Sequence, residues 1–145
     1  MTIAAEDMIE AAFPAPAPNE MAAPYWRALD EGRLTFQRCS ACANAWLPPR
    51  AECPRCLSRE WQWATASGAA RLVSWVVYHH GYHDYYATRL PYNVAVVELA
   101  EGPRLISNVV DAAGKLAIDM PLRLTIQREA GVALARFTPV PNATK

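Results

Sequence analysis

The chain has 145 residues, 52% of them hydrophobic, and its 14 Lys plus Arg are balanced by 14 Asp plus Glu. This length suits one domain with a small appendage, able to bury roughly 68–70% of its unfolded surface without disulfides. The zero formal net charge removes the phosphate-neutralising term that drives generic polyanion binding, so nucleic acid is not an expected partner.

In chain order, residues 1–18 read as a flexible or docking tail. A turn or two of amphipathic helix fits residues 3–13, but Pro14, Pro16 and Pro18 then bias the chain to an extended form. Glu6, Asp7 and Glu10 stand where a secretory signal carries positive charge. No run approaches the roughly 20 apolar residues of a membrane helix, so the expected compartment is the reducing cytoplasm. Residues 19–33 read as a short helix: Pro24 suits its first turn, Tyr25, Trp26 and Leu29 share a side, and Gly32 fits the left-handed closing position. Residues 34–66 carry all four cysteines between strands expected at Leu34–Arg38 and Trp61–Ala64. Residues 67–141 hold five apolar runs, Arg71–Tyr78, Asn93–Leu99, Arg104–Val110, Leu122–Gln127 and Val132–Thr138. Glu101-Gly102-Pro103, Ala113-Gly114-Lys115 and Ala130-Gly131 separate them as turns. Five short strands without a long helix point to a small barrel, most economically the oligonucleotide/oligosaccharide-binding (OB) fold. Residues 142–145 form a closing tail.

Cys39-x2-Cys42 and Cys53-x2-Cys56 are two knuckles ten residues apart. Two-residue spacing lets both thiolates of a knuckle reach one ion, and the second knuckle completes a tetrahedron. In the cytoplasm this pattern points to one structural zinc. A redox dithiol works singly at a helix start, and a rubredoxin-type iron centre carries Gly after each knuckle, where Ala43 and Leu57 stand. Four protein sulfurs leave no open coordination position, so catalytic zinc is excluded.

The longest gap between strands, residues 79–92, holds all three histidines (His79, His80, His83) with Tyr82, Tyr85, Tyr86 and Tyr92. Loops of this length in compact domains are functional or disordered. His79 and His83 have the i,i+4 spacing of a helical metal pair, but Gly81 between them and the preceding strand favour an aromatic contact loop. General acid/base work would suit imidazole, yet no nucleophile accompanies it. Arg50, stiffened by Pro48 and Pro49, has two readings, a phosphate contact or a bond to ribbon carbonyls. Arg71, Arg89, Arg104 and Lys115 are further phosphate candidates. Trp61 and Trp63 should share one side of a strand, covering the ribbon–barrel junction with Trp26 or Trp46. Exposed platforms for single-stranded nucleic acid are the alternative.

Gln37-Arg38-Cys39-Ser40-Ala41-Cys42, then Trp46-Leu47-Pro48-Pro49-Arg50 and Cys53-Pro54-Arg55-Cys56, resemble the zinc-ribbon plus OB-fold family known as domain of unknown function thirty-five. Pro24-Tyr25-Trp26 and Asp30-Glu31-Gly32-Arg33-Leu34 continue the resemblance upstream. Residues 91–99, Glu101-Gly102-Pro103-Arg104-Leu105 and Ala135–Val140 continue it downstream. Two departures concern turns: Gly68-Ala69-Ala70 lacks a second glycine, and Met120-Pro121 stand where members commonly show Gly before the fourth strand. The resemblance implies a mainly β chain with a short N-terminal helix, a rubredoxin-like zinc ribbon and a C-terminal five-stranded OB barrel. It further implies a non-catalytic accessory subunit, in hetero-oligomer with a thiolase-like enzyme of acyl-CoA metabolism. That enzyme is a thiolase or an acyl-CoA side-chain aldolase, including those of steroid degradation. A hotdog-fold enoyl-CoA hydratase is the alternative partner. Acyl-CoA is then a possible ligand. His79, His80, Tyr82, His83, Tyr85, Tyr86, Arg89 and Arg50 are the expected partner or ligand contacts.

Overall fold

The structure, a computed structural model, describes residues 12–17, 19–112 and 115–141. Residues 1–11 and 18 of the expected tail, the Ala113-Gly114 part of one expected turn, and the 142–145 tail lie outside them. Pro24 occupies the first turn of α1 (Ala23–Asp30), where a missing N–H is no loss. The helix closes at Gly32, which takes φ +86° and donates to the Leu29 carbonyl at 3.0 Å. Ala28 and Leu29 are buried. Tyr25 and Trp26 pack half-buried against the same core, their rings edge-to-face at 5.1 Å.

Three strands follow, β1 (Thr35–Cys39), β2 (Ala45–Trp46) and β3 (Trp61–Thr65). They form an antiparallel sheet in the order β2-β1-β3. Cys39 lies opposite Trp61, and Gln37 lies between Trp46 and Trp63. Trp61 and Trp63 do share a side, with rings 5.5 Å apart, and Trp46 joins Trp61 at 6.4 Å. Trp26 packs on the barrel core.

The remaining elements are β4 (Ala69–Tyr78), α2 (Asp84–Ala87), β5 (Tyr92–Leu99), β6 (Arg104–Ser107), β7 (Pro121–Glu129) and β8 (Val132–Pro139). The five strands form an antiparallel sheet ordered β6-β5-β4-β7-β8. Its two ends meet through residues 108–110, which run parallel to β8. Val110 N–H donates to the Phe137 carbonyl at 2.8 Å, and Phe137 N–H donates to the Asn108 carbonyl at 3.1 Å. This closes the expected five-stranded barrel. The run Arg104–Val110, read from sequence as one strand, is therefore two pieces. Ser107 Oγ donates to the Ala135 carbonyl at 2.8 Å and Asn108 Nδ2 to the Asn93 carbonyl at 2.5 Å, which turns the chain from β5 toward β8.

Both departures from the family pattern are accommodated locally. Gly68 alone makes the φ +97° turn into β4, so Ala69 and Ala70 already lie in the strand. Asp119, at φ 65°, supplies a left-handed residue ahead of β7, a conformation Asp tolerates better than most. Inward-facing Leu72, Ala95, Val97, Leu99, Val109, Leu122, Ala133 and Phe137 form the core, joined by Leu29 of α1 and by Leu34. Among the described residues no helix is long and apolar enough to cross a membrane.

Phe137 has no exposed surface and sits where the barrel closes. Phe137→Ala is expected to lower unfolding free energy by roughly 3–5 kcal/mol, measured by urea denaturation. A loss under about 1 kcal/mol would mean that closure does not depend on this ring.

Candidate functional site

The two knuckles fold alike because each backbone wraps its first sulfur. Ala41 and Cys42 N–H groups donate to Cys39 Sγ at 3.3 and 3.4 Å; Arg55 and Cys56 donate to Cys53 Sγ at 3.4 and 3.5 Å. Ala43 N–H returns to the Cys39 carbonyl at 3.0 Å, and Leu57 N–H to the Cys53 carbonyl at 2.8 Å. The residue ending each turn is left-handed, Ala43 at φ 67° and Leu57 at φ 65°. That conformation costs a side-chain-bearing residue roughly 1–2 kcal/mol, which explains why rubredoxin-type knuckles carry Gly there.

The four sulfurs lie within 4.8 Å of one another, with Cys39–Cys56 at 3.5 Å and Cys42–Cys53 at 3.7 Å. Ligand sulfurs around a tetrahedral zinc are about 3.8 Å apart for Zn–S bonds of about 2.3 Å, so the donor set fits that ion. The protonation pattern agrees. Loss of water pushes the Cys53 thiol up, but the Cys56 and Arg55 N–H groups, with Cys42 and Asn44, outweigh it and bring it down to about 6. Cys39 is lowered in the same way, desolvation being overcome by the Cys42 and Ala41 amides. At Cys56 a hydrogen bond with the Ser58 backbone pulls down, yet the Cys39 sulfur and lost hydration push the thiol up to about 12. Cys39 and Cys53 are thus favoured as thiolates, and Cys56 beside Cys39 resists ionising. Cys39, Cys42, Cys53 and Cys56 would hold a zinc ion, whose positive charge would stabilise all four thiolates.

Gln37, fully buried in β1, braces the loop between the knuckles. Its Nε2 donates to the Arg50 carbonyl and its Oε1 accepts from Arg50 N–H, each at 2.7 Å. Arg50 thus serves the ribbon through its main chain, and its side chain is exposed.

Residues 79–92 fold into a compact element around α2. His83 caps the helix, its Nδ1 accepting from Tyr85 N–H at 3.0 Å. Gly81 lies so close to α2 that a Cβ there would meet Ala87 Cα at 2.6 Å. Tyr85 points inward at 8% exposure. Its hydroxyl donates to Glu129 at 2.7 Å, and the Arg89 guanidinium lies 3.7 Å over its ring. Glu129 also pairs with Arg136 at 2.5 Å. Burial pushes the Glu129 carboxyl up, but the Tyr85 and Arg136 bonds prevail and hold it below the ordinary carboxylate range. Tyr82 faces out at 79% exposure. It belongs to a ladder of rings: His80 on Tyr82 at 4.6 Å, Tyr82 on Tyr78 at 5.8 Å, and Tyr78 and Tyr86 each on Tyr92 at 5.2 Å. His79 is exposed, and the metal-capable group among the described residues is the cysteine tetrad.

The other arginine candidates are engaged. Glu98 binds Arg71 at 3.1 Å and Arg104 at 2.9 Å, and Arg71 also pairs with Asp119. Arg89 donates to the Tyr85 carbonyl at 2.6 Å. Lys115 is exposed.

Residues 26–62 match the ChsH2 rubredoxin-like zinc ribbon domain, and residues 63–127 match the ChsH2 C-terminal OB-fold domain. The chain belongs to the ChsH2-type DUF35 family. It is similar to a chain of the solved Ltp2-ChsH2(DUF35) aldolase, with 38% identity and a TM-score of 0.76, covering 86% of this chain and 98% of that one. A DUF35 protein from Sulfolobus solfataricus shares the fold, with a TM-score of 0.61 at 13% identity, covering 84% of this chain and 87% of that one. Among curated relatives, a "probable enoyl-CoA hydratase alpha subunit" of Thermomonospora curvata is 38% identical over 136 residues, 92% of this chain and 42% of that protein. The chain thus spans about two-fifths of that relative. A "DUF35 domain-containing scaffold protein" of Methanocaldococcus jannaschii is 30% identical over 95 residues, 64% of this chain and 67% of that protein.

For this family member, protein made in medium replete in zinc and iron is expected to carry one zinc per chain by metal analysis. Cys53→Ser should lose the metal and aggregate, because structural zinc couples roughly 10–16 kcal/mol of binding to folding. Stoichiometric iron with colour would overturn the assignment.

Glu129 gives a second expectation. A depressed carboxyl contributes stability that is complete above the ordinary glutamate value near 4.3 and is lost as pH falls through the lowered one. Glu129→Gln should therefore flatten the acid limb of stability between about pH 5 and about pH 2. Urea midpoints across that range, compared with wild type, test it; parallel curves would sink it.

Proposed function

We propose that this chain is a non-catalytic accessory subunit of a thiolase-like acyl-CoA enzyme, with the side-chain aldolase as the favoured reaction. The observation that carries the reading is the similarity over 98% of the ChsH2 chain of a two-protein aldolase, at 38% identity. The site chemistry points the same way. Four cysteines fill a tetrahedral zinc site and leave no position for substrate. Among the described residues the loop histidines stand beside no activated nucleophile; His83 uses Nδ1 to cap a helix. Arg71 and Arg104 are bound to Glu98, which supports a protein partner over a polyanion. On this reading the acyl-CoA, a steroid side chain among its forms, is bound mainly by the partner, and the crest of residues 79–92 faces that partner. The four cysteines are unpaired, as suits the reducing cytoplasm we assign to the complex.

The name of the Thermomonospora curvata relative favours a second arrangement. There the matched part is 42% of a longer hydratase subunit, and the corresponding partner here would be a hotdog-fold hydratase. Co-expression of this chain with a thiolase-like aldolase and, separately, with a hotdog-fold hydratase of the same organism separates the two. The isolated chain should turn over no acyl-CoA, and the complex with the thiolase-like protein should cleave one. Turnover by the chain alone, with contaminating partner excluded by mass spectrometry, would overturn the accessory reading.

A further inference from the structure

The outward face of β4, β5 and β6 departs from what a solvated sheet carries. Register fixes which side chains share it. Ala95 and Val97 point into the core with no exposure, so Val94 and Val96 point out. Val76 lies opposite Val94, and Ile106 lies opposite Val96. Water-facing positions of an antiparallel sheet are ordinarily polar, yet these four are β-branched aliphatics, with Val76 53% and Ile106 74% exposed. At one end the pair Tyr78–Tyr92 continues into the ring ladder and Tyr82. At the other end Arg71, Glu98, Arg104 and Asp119 neutralise one another. The helix α1 packs against β8 and β1 and leaves this face open.

We propose that this sheet face, together with the crest of residues 79–92, seats the thiolase-like partner, an inference that rests on the accessory-subunit reading. Its chemistry selects an uncharged apolar surface, because the charged groups at its border are satisfied within the chain. Similarity to a chain of a two-protein aldolase favours that partner over a second copy of this chain. Three strands about 15 Å across and side-chain rows about 20 Å long give roughly 300 Å². A stable interface needs about 800 Å² per partner. As the centre of a wider contact that also takes Tyr82 and His80, the patch has the apolar middle and polar rim of a specific interface.

The test is Val76→Glu with Ile106→Glu in the full zinc-loaded chain, titrated with the thiolase-like protein of the same organism used in the co-expression. Complex formation is read by light scattering, and zinc content and melting temperature are recorded. Retained metal and melting temperature with affinity reduced about 30-fold or more would support the face. Should the charged variant misfold, Val76→Thr with Ile106→Thr keeps strand propensity and should still weaken binding about tenfold. Wild-type affinity in a folded variant overturns the face and leaves the accessory reading intact. A wild-type chain that ignores the thiolase-like protein but dimerises through these residues replaces the proposed occupant with a second copy. A wild-type chain that binds neither overturns the accessory reading itself.

Discussion

Four sulfurs at contact distance organise the N-terminal half of this chain. The strands β1 and β3 are anchored to the barrel at one end, where Ala66 N–H donates to the Leu34 carbonyl at 2.8 Å and Leu34 lies in the barrel core. At their far end the buried cluster is Cys39, Trp46 and Cys53, with Cys42 and Trp61 against it. Apolar burial on that scale is too small to offset the entropy of ordering a loop as long as residues 47–60. The tetrahedral fit of the sulfurs explains how the loop is fixed, and the Gln37–Arg50 amide pair explains how its middle is held without a third strand. The left-handed Ala43 and Leu57 belong to the same account. A strained backbone persists where surrounding contacts over-determine it.

The barrel applies a different constraint to the loop of residues 79–92. Tyr85 is a hub: Phe13 meets its ring edge-on at 5.2 Å, Arg89 covers its face, and Glu129 takes its hydroxyl. Through Glu129 and Arg136 the loop is tied to β7 and β8 as well as to the strands it connects. Tyr82 and His80 are thereby presented from a built platform. Side chains ordered before association lose less entropy on binding.

How much of this was legible in sequence differs by element. Knuckle spacing alone identified the metal-capable residues, because two-residue spacing is a geometric requirement of the ion. Apolar runs located all five barrel strands, since Val, Ile and aromatic residues between turn formers leave few alternatives. Loop composition marked residues 79–92 as important but could not separate Tyr85 from Tyr82. A loop has no periodicity, so which ring turns inward depends on Glu129, 44 residues away. Arg50 stands out in sequence for the stiffness imposed by Pro48 and Pro49, and of a phosphate contact and a place in the ribbon the structure shows the second, through its main chain rather than its guanidinium. The continuation of β6 into 108–110 was hidden because a change of pairing partner leaves the apolar pattern unbroken.

β5 shows why the outer sheet face could not be read in advance. Residues 92–99, YNVAVVEL, lack the polar alternation of a half-buried strand and resemble a strand covered on both sides. In the structure Ala95, Val97 and Leu99 face the core, which accounts for half the pattern. Val94 and Val96 face the other way, beside Val76 and Ile106 of the neighbouring strands. Composition marks both faces of β5 as apolar, and only the fold separates the face that packs in the core from the one that does not. At one end of the barrel the polar residues Asn93, Asn108, Glu129 and Arg136 bond to one another and to their neighbours and hold the barrel and its loop together. The chain's chemistry is directed at fixing surfaces, and the apolar face of β5 is the surface so fixed.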